Sequence, residues 1–392
     1  MKTKTFRDRL YEKAAYQRIP IMGAFELLPA CNLACKMCYV RKSMDYVNAH
    51  GGLLPTDRWL DLARQCRDLG AFTVLLTGGE PFLHPNLREI MAGIQDLGLE
   101  VSINSNATLI DRDTAQWLAH HPPVRINITL YGASDESYRR LCGRPAFSQV
   151  CQAVEALKDN GIRVKFNASI TPDNVNDLEE MIRYAKSVGS PIQIATYMFP
   201  PVRRDAAMVG KNFRLTPEEA GKARVLADFY QNEPDWFRGQ ARRFATFVPL
   251  DQLPPAPAEP AEMGMRCRAG LCSFWVDWQG NLMNCGMYAS AKLPLGDTTM
   301  AEAWPRLVEV TAQVRYAPYC AVCPNQHLCH ACIAMVANEC GQLTGRPEYL
   351  CRMNQAAAGY YQEYLHRLPE NGHAPAEPDD FGHLDPAEPC GP

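Results

Sequence analysis

Six short apolar runs, five of them followed by a stretch of helical periodicity, limit what this chain can fold into. The runs are residues 21–28, 71–76, 99–104, 124–130, 162–170 and 191–197. Between them, residues 56–69, 86–97, 111–120, 147–160 and 175–188 repeat apolar side chains every three or four positions. In the first of these, Trp59, Leu60, Leu62, Ala63, Cys66 and Leu69 share one face, and Thr56 is placed to cap it. Strands alternating with helices make parallel βαβ units. Six are too few to close an eight-stranded barrel. The expected fold class is therefore α/β, a partial (β/α)6 barrel of the TIM type, with functional residues at the C-terminal ends of the strands.

The polar motifs fall at those ends. Cys31, Cys35 and Cys38 follow the first run, with three and then two residues between them. Three such thiolates can ligate three irons of a 4Fe–4S cluster and leave the fourth open to a small chelating molecule. A zinc loop would need a fourth ligand at knuckle spacing, and none lies nearby. Thr77-Gly78-Gly79-Glu80-Pro81 follows the second run. Its glycines let backbone approach a ligand, and its carboxylate can accept a hydrogen bond from an ammonium; a plain turn is the alternative. Asn104-Ser105-Asn106-Ala107 ends the third run, where amides and hydroxyls can meet a ligand or merely form an Asx turn. Thr129 and Ser134 flank the end of the fourth, followed by Arg139, Arg140 and Arg144, two of which suit a solvated helix face. Lys165 and Asn167 alternate with Val164, Phe166 and Ala168, so both point to one face, either the barrel interior or an exposed edge.

Together these residues resemble the radical SAM superfamily, although Met37 stands where that family often has an aromatic residue. The resemblance implies that the open iron binds the amino and carboxylate groups of S-adenosylmethionine. One electron from the cluster then breaks the sulfonium bond and yields a 5′-deoxyadenosyl radical. It implies cofactor contacts from Gly78, Gly79, Glu80 and Pro81, from Ser105 and Asn106, from Thr129 and Ser134, and from Arg144 and Asn167. Thr129-Leu-Tyr-Gly-Ala-Ser134 is similar to stretches in radical SAM enzymes that modify peptides.

A second cysteine-rich region spans residues 265–355, after a bridging helix and Pro-rich linker at 216–264. Its cysteines are Cys267, Cys272, Cys285, Cys320, Cys323, Cys329, Cys332, Cys340 and Cys351, and Gly280 precedes Cys285 with four residues between them. This order resembles the SPASM extension of radical SAM enzymes. That resemblance implies two auxiliary 4Fe–4S clusters, three in all. One would use Cys267, Cys272, Cys285 and Cys332; the other Cys320, Cys323, Cys329 and Cys351. The step from Cys329 to Cys332 has two intervening residues where the family has three, and Cys340 is left over. Structural zinc is the competing reading of the Cys-x2-Cys pairs. Cys66 and Cys151 are expected in the core, and Cys142 in a loop where a redox or hydrogen-donor role is conceivable.

The remaining boundaries are a lead-in at 1–20, the barrel at 21–215, and a helix end with an acidic tail, expected to be disordered, at 356–392. A net charge of −3 provides no global field for nucleic acid. No apolar run approaches the ~20 residues of a membrane span. Sixteen cysteines at metal-like spacings, without a signal peptide, fit a reducing cytoplasm better than a disulfide framework. The expected function is a radical SAM peptide maturase that abstracts hydrogen from a ribosomally made peptide, served by an external electron donor of flavodoxin or ferredoxin type. The catalytic base or hydrogen donor is not identified. An enzyme acting on a small molecule, such as a tetrapyrrole or cofactor precursor, is the alternative, and a non-catalytic iron–sulfur carrier the third. Gly286 stands where the related sulfatase maturases carry an acidic base after Cys285, which argues against that activity. About twenty residues precede the first strand, so no leader-binding domain is expected there. Recognition would fall to the barrel mouth, the 198–250 insert, the tail or a separate protein.

Overall fold

The computed structural model describes residues 5–255, 264–265 and 267–368. Much of the Pro-rich linker, nearly all of the acidic tail, and Cys390 lie outside the described residues. Nine strands form one sheet: β1 (Met22–Leu28), β2 (Thr73–Gly78), β3 (Glu100–Ser105), β4 (Arg125–Leu130), β5 (Val164–Ser169), β6 (Ile192–Ala195), β7 (Ser273–Val276), β8 (Asn281–Met283) and β9 (Leu293–Pro294). The helices are α1 (Phe6–Gln17), α2 (Met44–Ala49), α3 (Thr56–Asp68), α4 (Leu87–Asp96), α5 (Arg112–His120), α6 (Asp135–Cys142), α7 (Phe147–Asp159), α8 (Leu178–Ser187), α9 (Pro217–Gln231), α10 (Pro234–Phe244), α11 (Met300–Gln313), α12 (Pro318–Ala321), α13 (Ile333–Cys340) and α14 (Glu348–Leu365).

The sheet runs in the order β6-β5-β4-β3-β2-β1-β7-β8-β9. The first six strands are parallel, as the βα alternation requires. Beyond β1 the cysteine-rich region does not form a separate sheet. β7 pairs parallel with β1, Met22 opposite Ser273, and β8 and β9 continue as antiparallel strands.

Each parallel strand turns one face to helices and one to the interior. On β5, Val164, Phe166 and Ala168 are buried while Lys165, Asn167 and Ser169 are half-buried. Phe166 packs on Tyr184 of α8, ring centroids 5.6 Å apart. Lys165 and Asn167 therefore face away from the helices, on the same side as Ser169 of the cavity described below. On β1, Phe25 meets the fully buried Trp59 of α3 at 5.1 Å. Truncating such a core tryptophan costs about 3–5 kcal/mol.

Some local expectations change. Thr56 is the first helical residue of α3, not its cap; Pro55 holds that position without a side-chain bond, and the Thr56 hydroxyl accepts from Asn86 Nδ2 at 2.9 Å. The polar, Gly-rich stretch 40–55, whose composition reads as a loop, contains α2, capped by Ser43, whose hydroxyl accepts from the Tyr46 amide. Ser134 caps α6 in the same way through the Ser137 amide.

Candidate active site

The site forms where the loops after β1, β2, β3 and β4 converge. A cavity of about 330 Å³ is lined there by Cys31, Cys35 and Cys38, by Gly78 and Gly79, and by Asn106, among others. The two glycines are needed for this approach. Gly78 has φ +146°, and a Cβ on it would lie 2.2 Å from the Leu28 carbonyl oxygen. A Cβ on Gly79 would lie 2.1 Å from that of Ala30. Only bare backbone lets the β2 turn lie against the cysteine loop.

Of the cofactor contacts expected from the sequence, Gly78, Gly79, Ser105, Asn106 and Thr129 line this cavity. Glu80, Pro81, Ser134, Arg144 and Asn167 do not. Glu80 is fully buried beside it: its carboxylate accepts from the Ser105 hydroxyl at 2.8 Å and the amides of Asn106 at 2.7 Å and Phe82 at 3.1 Å. It braces the turn that carries Asn106. Burial pushes its pKa up to about 7, against the opposing pull of those three bonds. Asn106 in turn donates to Asn32 Oδ1 at 2.9 Å, in the cysteine loop itself. Arg144 donates to Gln149 at 3.1 Å. Asn167 sits opposite Thr129 in the β4–β5 register.

The cysteine loop is pinned from the other side by α6. The Ala34 amide donates to the Cys142 carbonyl at 2.9 Å and the Lys36 amide to Leu141 at 3.1 Å. The Cys142 sulfur lies 3.4 Å from that of Cys35. That contact lowers the pKa of the Cys35 thiol and raises that of Cys142; with Cys35 held as a thiolate on a cluster, the Cys142 S–H would be the group left to donate. Burial pushes the Cys31 thiol up to about 12 and raises Cys38. Desolvated thiols of this kind ionise readily only against a cationic centre, and an iron–sulfur cluster supplies one.

The far wall comes from Tyr131, within the motif that ends the fourth run, and from Tyr197, Met198, Phe199 and Met287, which the sequence did not single out. Met287 belongs to the cysteine-rich region, two residues after Cys285. A buried network holds that segment in place. Glu26 on β1 is 1% exposed and accepts from Arg203 at 2.9 and 3.0 Å and from Trp275 Nε1 at 3.0 Å. Arg203 also donates to the Gly286 carbonyl at 2.9 Å. Gly286 lies flat on the Trp275 indole, where a Cβ would come within 2.9 Å of the ring. A side chain at this position, acidic or otherwise, would have to displace the indole.

The remaining cysteines fall into two electrostatic neighbourhoods. Cys332 interacts with Cys285 and Cys267, and Cys272 with Cys267. Burial pushes Cys320 up to about 12, followed by the repulsion of Cys351, Cys329, Cys323 and Cys340. Among the described residues, no three His, Cys, Asp or Glu side chains converge on one metal position. A single zinc ion draws its ligands to within about 2.3 Å of one point, whereas a cluster gives each cysteine its own iron.

Comparison with known proteins agrees with this geometry. Residues 25–185 match the model of the radical SAM superfamily. The AdoMet-dependent heme synthase of Nitratidesulfovibrio vulgaris is 24% identical over 337 residues, 81% of this chain and 88% of that protein. The antilisterial bacteriocin subtilosin biosynthesis protein AlbA of Bacillus subtilis is 24% identical over 272 residues, 69% of this chain and 56% of its own length. Streptococcus suis SuiB bound to precursor peptide SuiA shares the fold with a TM-score of 0.62 at 15% identity, covering 88% of this chain and 80% of SuiB. Residues 25–185 thus form a domain of the radical SAM superfamily. The chain is an enzyme that carries this domain, and its cysteine-rich region follows it in sequence.

Proposed function

We propose that this enzyme modifies a peptide by radical chemistry begun in the cavity between Cys31, Cys35, Cys38 and Tyr197. The observation that carries the reading is the composite wall. One side offers three desolvated thiols beside bare glycine backbone, and the other offers Tyr131, Phe199 and Met287. With a 4Fe–4S cluster and S-adenosylmethionine bound, the site would supply an adenosyl radical that removes a substrate hydrogen. Cys31, Cys35 and Cys38 would hold the cluster. Gly78, Gly79, Asn106 and Thr129 would orient the methionine and ribose through backbone and polar groups. The aromatic wall would exclude water and keep the substrate carbon close.

The two cysteine neighbourhoods would hold auxiliary clusters, one on Cys267, Cys272, Cys285 and Cys332, the other on Cys320, Cys323, Cys329 and Cys351. With Met287 in the cavity wall and Cys285 two residues away, the first would lie close enough to exchange electrons with the substrate site. An external donor of flavodoxin or ferredoxin type would supply the reducing electron. Likeness to AlbA and to peptide-bound SuiB supports a peptide substrate. The packed Gly286 speaks against sulfatase maturation.

The match to heme synthases over most of both chains favours a second reading, with a tetrapyrrole as substrate. Anaerobic enzyme with S-adenosylmethionine and reductant separates them. A mass loss in a co-expressed precursor peptide is expected. Turnover of a tetrapyrrole with every precursor left unchanged would reverse the choice.

A further inference from the structure

β6 ends the sheet, and its outer edge is open. Phe166 donates to the Pro191 carbonyl and Ile170 to that of Ala195, both at 2.8 Å. In a parallel pair, alternate residues turn their peptide groups to the same neighbour. Pro191, Gln193 and Ala195 thus face β5, and Ile192, Ile194 and Thr196 face outward. Among the described residues, no hydrogen-bond partner is found for these outward backbone groups. Such an edge is a template for a further strand.

A groove of about 770 Å³ runs beside it, lined by Ile194, Arg224, Trp236, Arg243 and Met353 among others. Ala195, Tyr197 and Phe199 line both this groove and the cysteine cavity, so the two adjoin across these three residues. Trp236 is 41% exposed there. Arg224 donates to Asn354 at 2.9 Å, and Arg243 to the His327 carbonyl at 2.9 Å. Both guanidiniums line the groove, and Arg224 lies in the field of Asp228. Asp228, which also accepts from the Tyr361 hydroxyl, is the acidic side chain of the groove, one carboxylate against two guanidiniums. The groove therefore carries a cationic excess next to unpaired backbone and an exposed indole.

We propose that this edge and groove bind an extended, acidic segment of the peptide substrate. The segment adds as a strand beside β6 and delivers the residue to be modified past Tyr197 into the cavity. Main-chain bonds supply affinity without consuming side chains. Four residues of β6, at about 3.3 Å each, give a contact of roughly 13 Å. Arg224 and Arg243 then select acidic over basic segments. This inference rests on the peptide reading above.

The test uses anaerobic holoprotein and a fluorescein-labelled hexapeptide of alternating glutamate and valine. A copy methylated on alternate backbone nitrogens and a copy with lysine for glutamate complete the set. Anisotropy should show binding of the first peptide, with at least tenfold weaker binding of the other two. Arg224→Glu should weaken the acidic peptide by a similar factor and strengthen the basic one. Hydrogen exchange should slow at the amides of Ile192, Ile194 and Thr196 when the first peptide binds. Equal binding of the methylated copy, no binding of the acidic peptide, or a dimer of this chain paired through the same edge overturns the proposal. If Arg224→Glu modifies a precursor as fast as the parent enzyme, the docking site falls while the peptide reading stands. If no precursor is modified and a tetrapyrrole is, the peptide reading itself has failed.

Discussion

Replacing Arg203 with methionine would leave a carboxylate stranded inside the protein. Glu26 is 1% exposed, and its bonds beyond Arg203 reduce to the single one from Trp275. Breaking a buried ion pair by removing one partner costs about 3–5 kcal/mol, because the remaining charge keeps its desolvation without compensation. Replacing both partners removes the charge, so the double variant Glu26→Gln, Arg203→Met should recover most of that loss. The glutamine can still accept from Trp275. The pair also fixes Gly286, so the single variant should loosen the Met287 side of the cavity as well as the fold. Urea unfolding under anaerobic conditions, followed by tryptophan fluorescence, reads the stability. The midpoint should fall at unchanged slope in the single variant. A loss under about 1 kcal/mol, or a double variant no more stable than the single, would refute the reasoning.

Three further outcomes are expected. In cluster-loaded protein, Cys142→Ala removes a hydrogen bond to the Cys35 sulfur; losing about 1 kcal/mol of charge stabilisation should move the midpoint potential of that cluster roughly 40 mV more negative, read by potentiometric EPR. Glu80 has a folded pKa of about 7 against an unfolded value of 4.5. The native state then binds the extra proton, so stability should fall as pH rises from about 4.5 to 7 and level off above; the span is on the order of 3 kcal/mol, and Glu80→Gln should flatten it in denaturant titrations at pH 5 and 7.5. Gly286→Asp should displace the Trp275 indole, destabilise the protein by about 1–3 kcal/mol and leave it unable to oxidise a sulfatase peptide; peptide oxidation by this variant in a mass assay would show the position to be roomier than its packing allows.

Much of the barrel was written in local periodicity. The alternation of Val164, Phe166 and Ala168 with polar residues set β5 and its faces. Thr77-Gly78-Gly79 and Asn106 announced the cavity wall, because turns that approach a ligand need glycine and short polar side chains. Distant pairings left no such trace. Nothing near Glu26 announces Arg203, and nothing in the apolar run around Phe274 says that it pairs with β1. α6 was only half legible: its arginines suited a solvated helix face, but its polar start read as the continuation of a motif loop. Its last residue, Cys142, proved to touch Cys35. Tyr197 ended the sixth apolar run and Phe199 fell in irregular chain, and neither stood out as a wall, since an aromatic wall has no period. The role expected of Glu80 shows a different gap: sequence identifies a carboxylate beside a ligand, but not which way it turns.

The parallel pairing of β1 with β7 has a consequence for synthesis. Met22 must wait for Ser273, about 250 residues later, before its second neighbour exists. At the usual pace of translation that is on the order of 10–50 s. Throughout that interval an apolar strand of the nascent barrel presents bare peptide groups outside the ribosome. A chaperone, or an early intramolecular cover such as α1, would have to shield it until the carboxy-terminal third emerges.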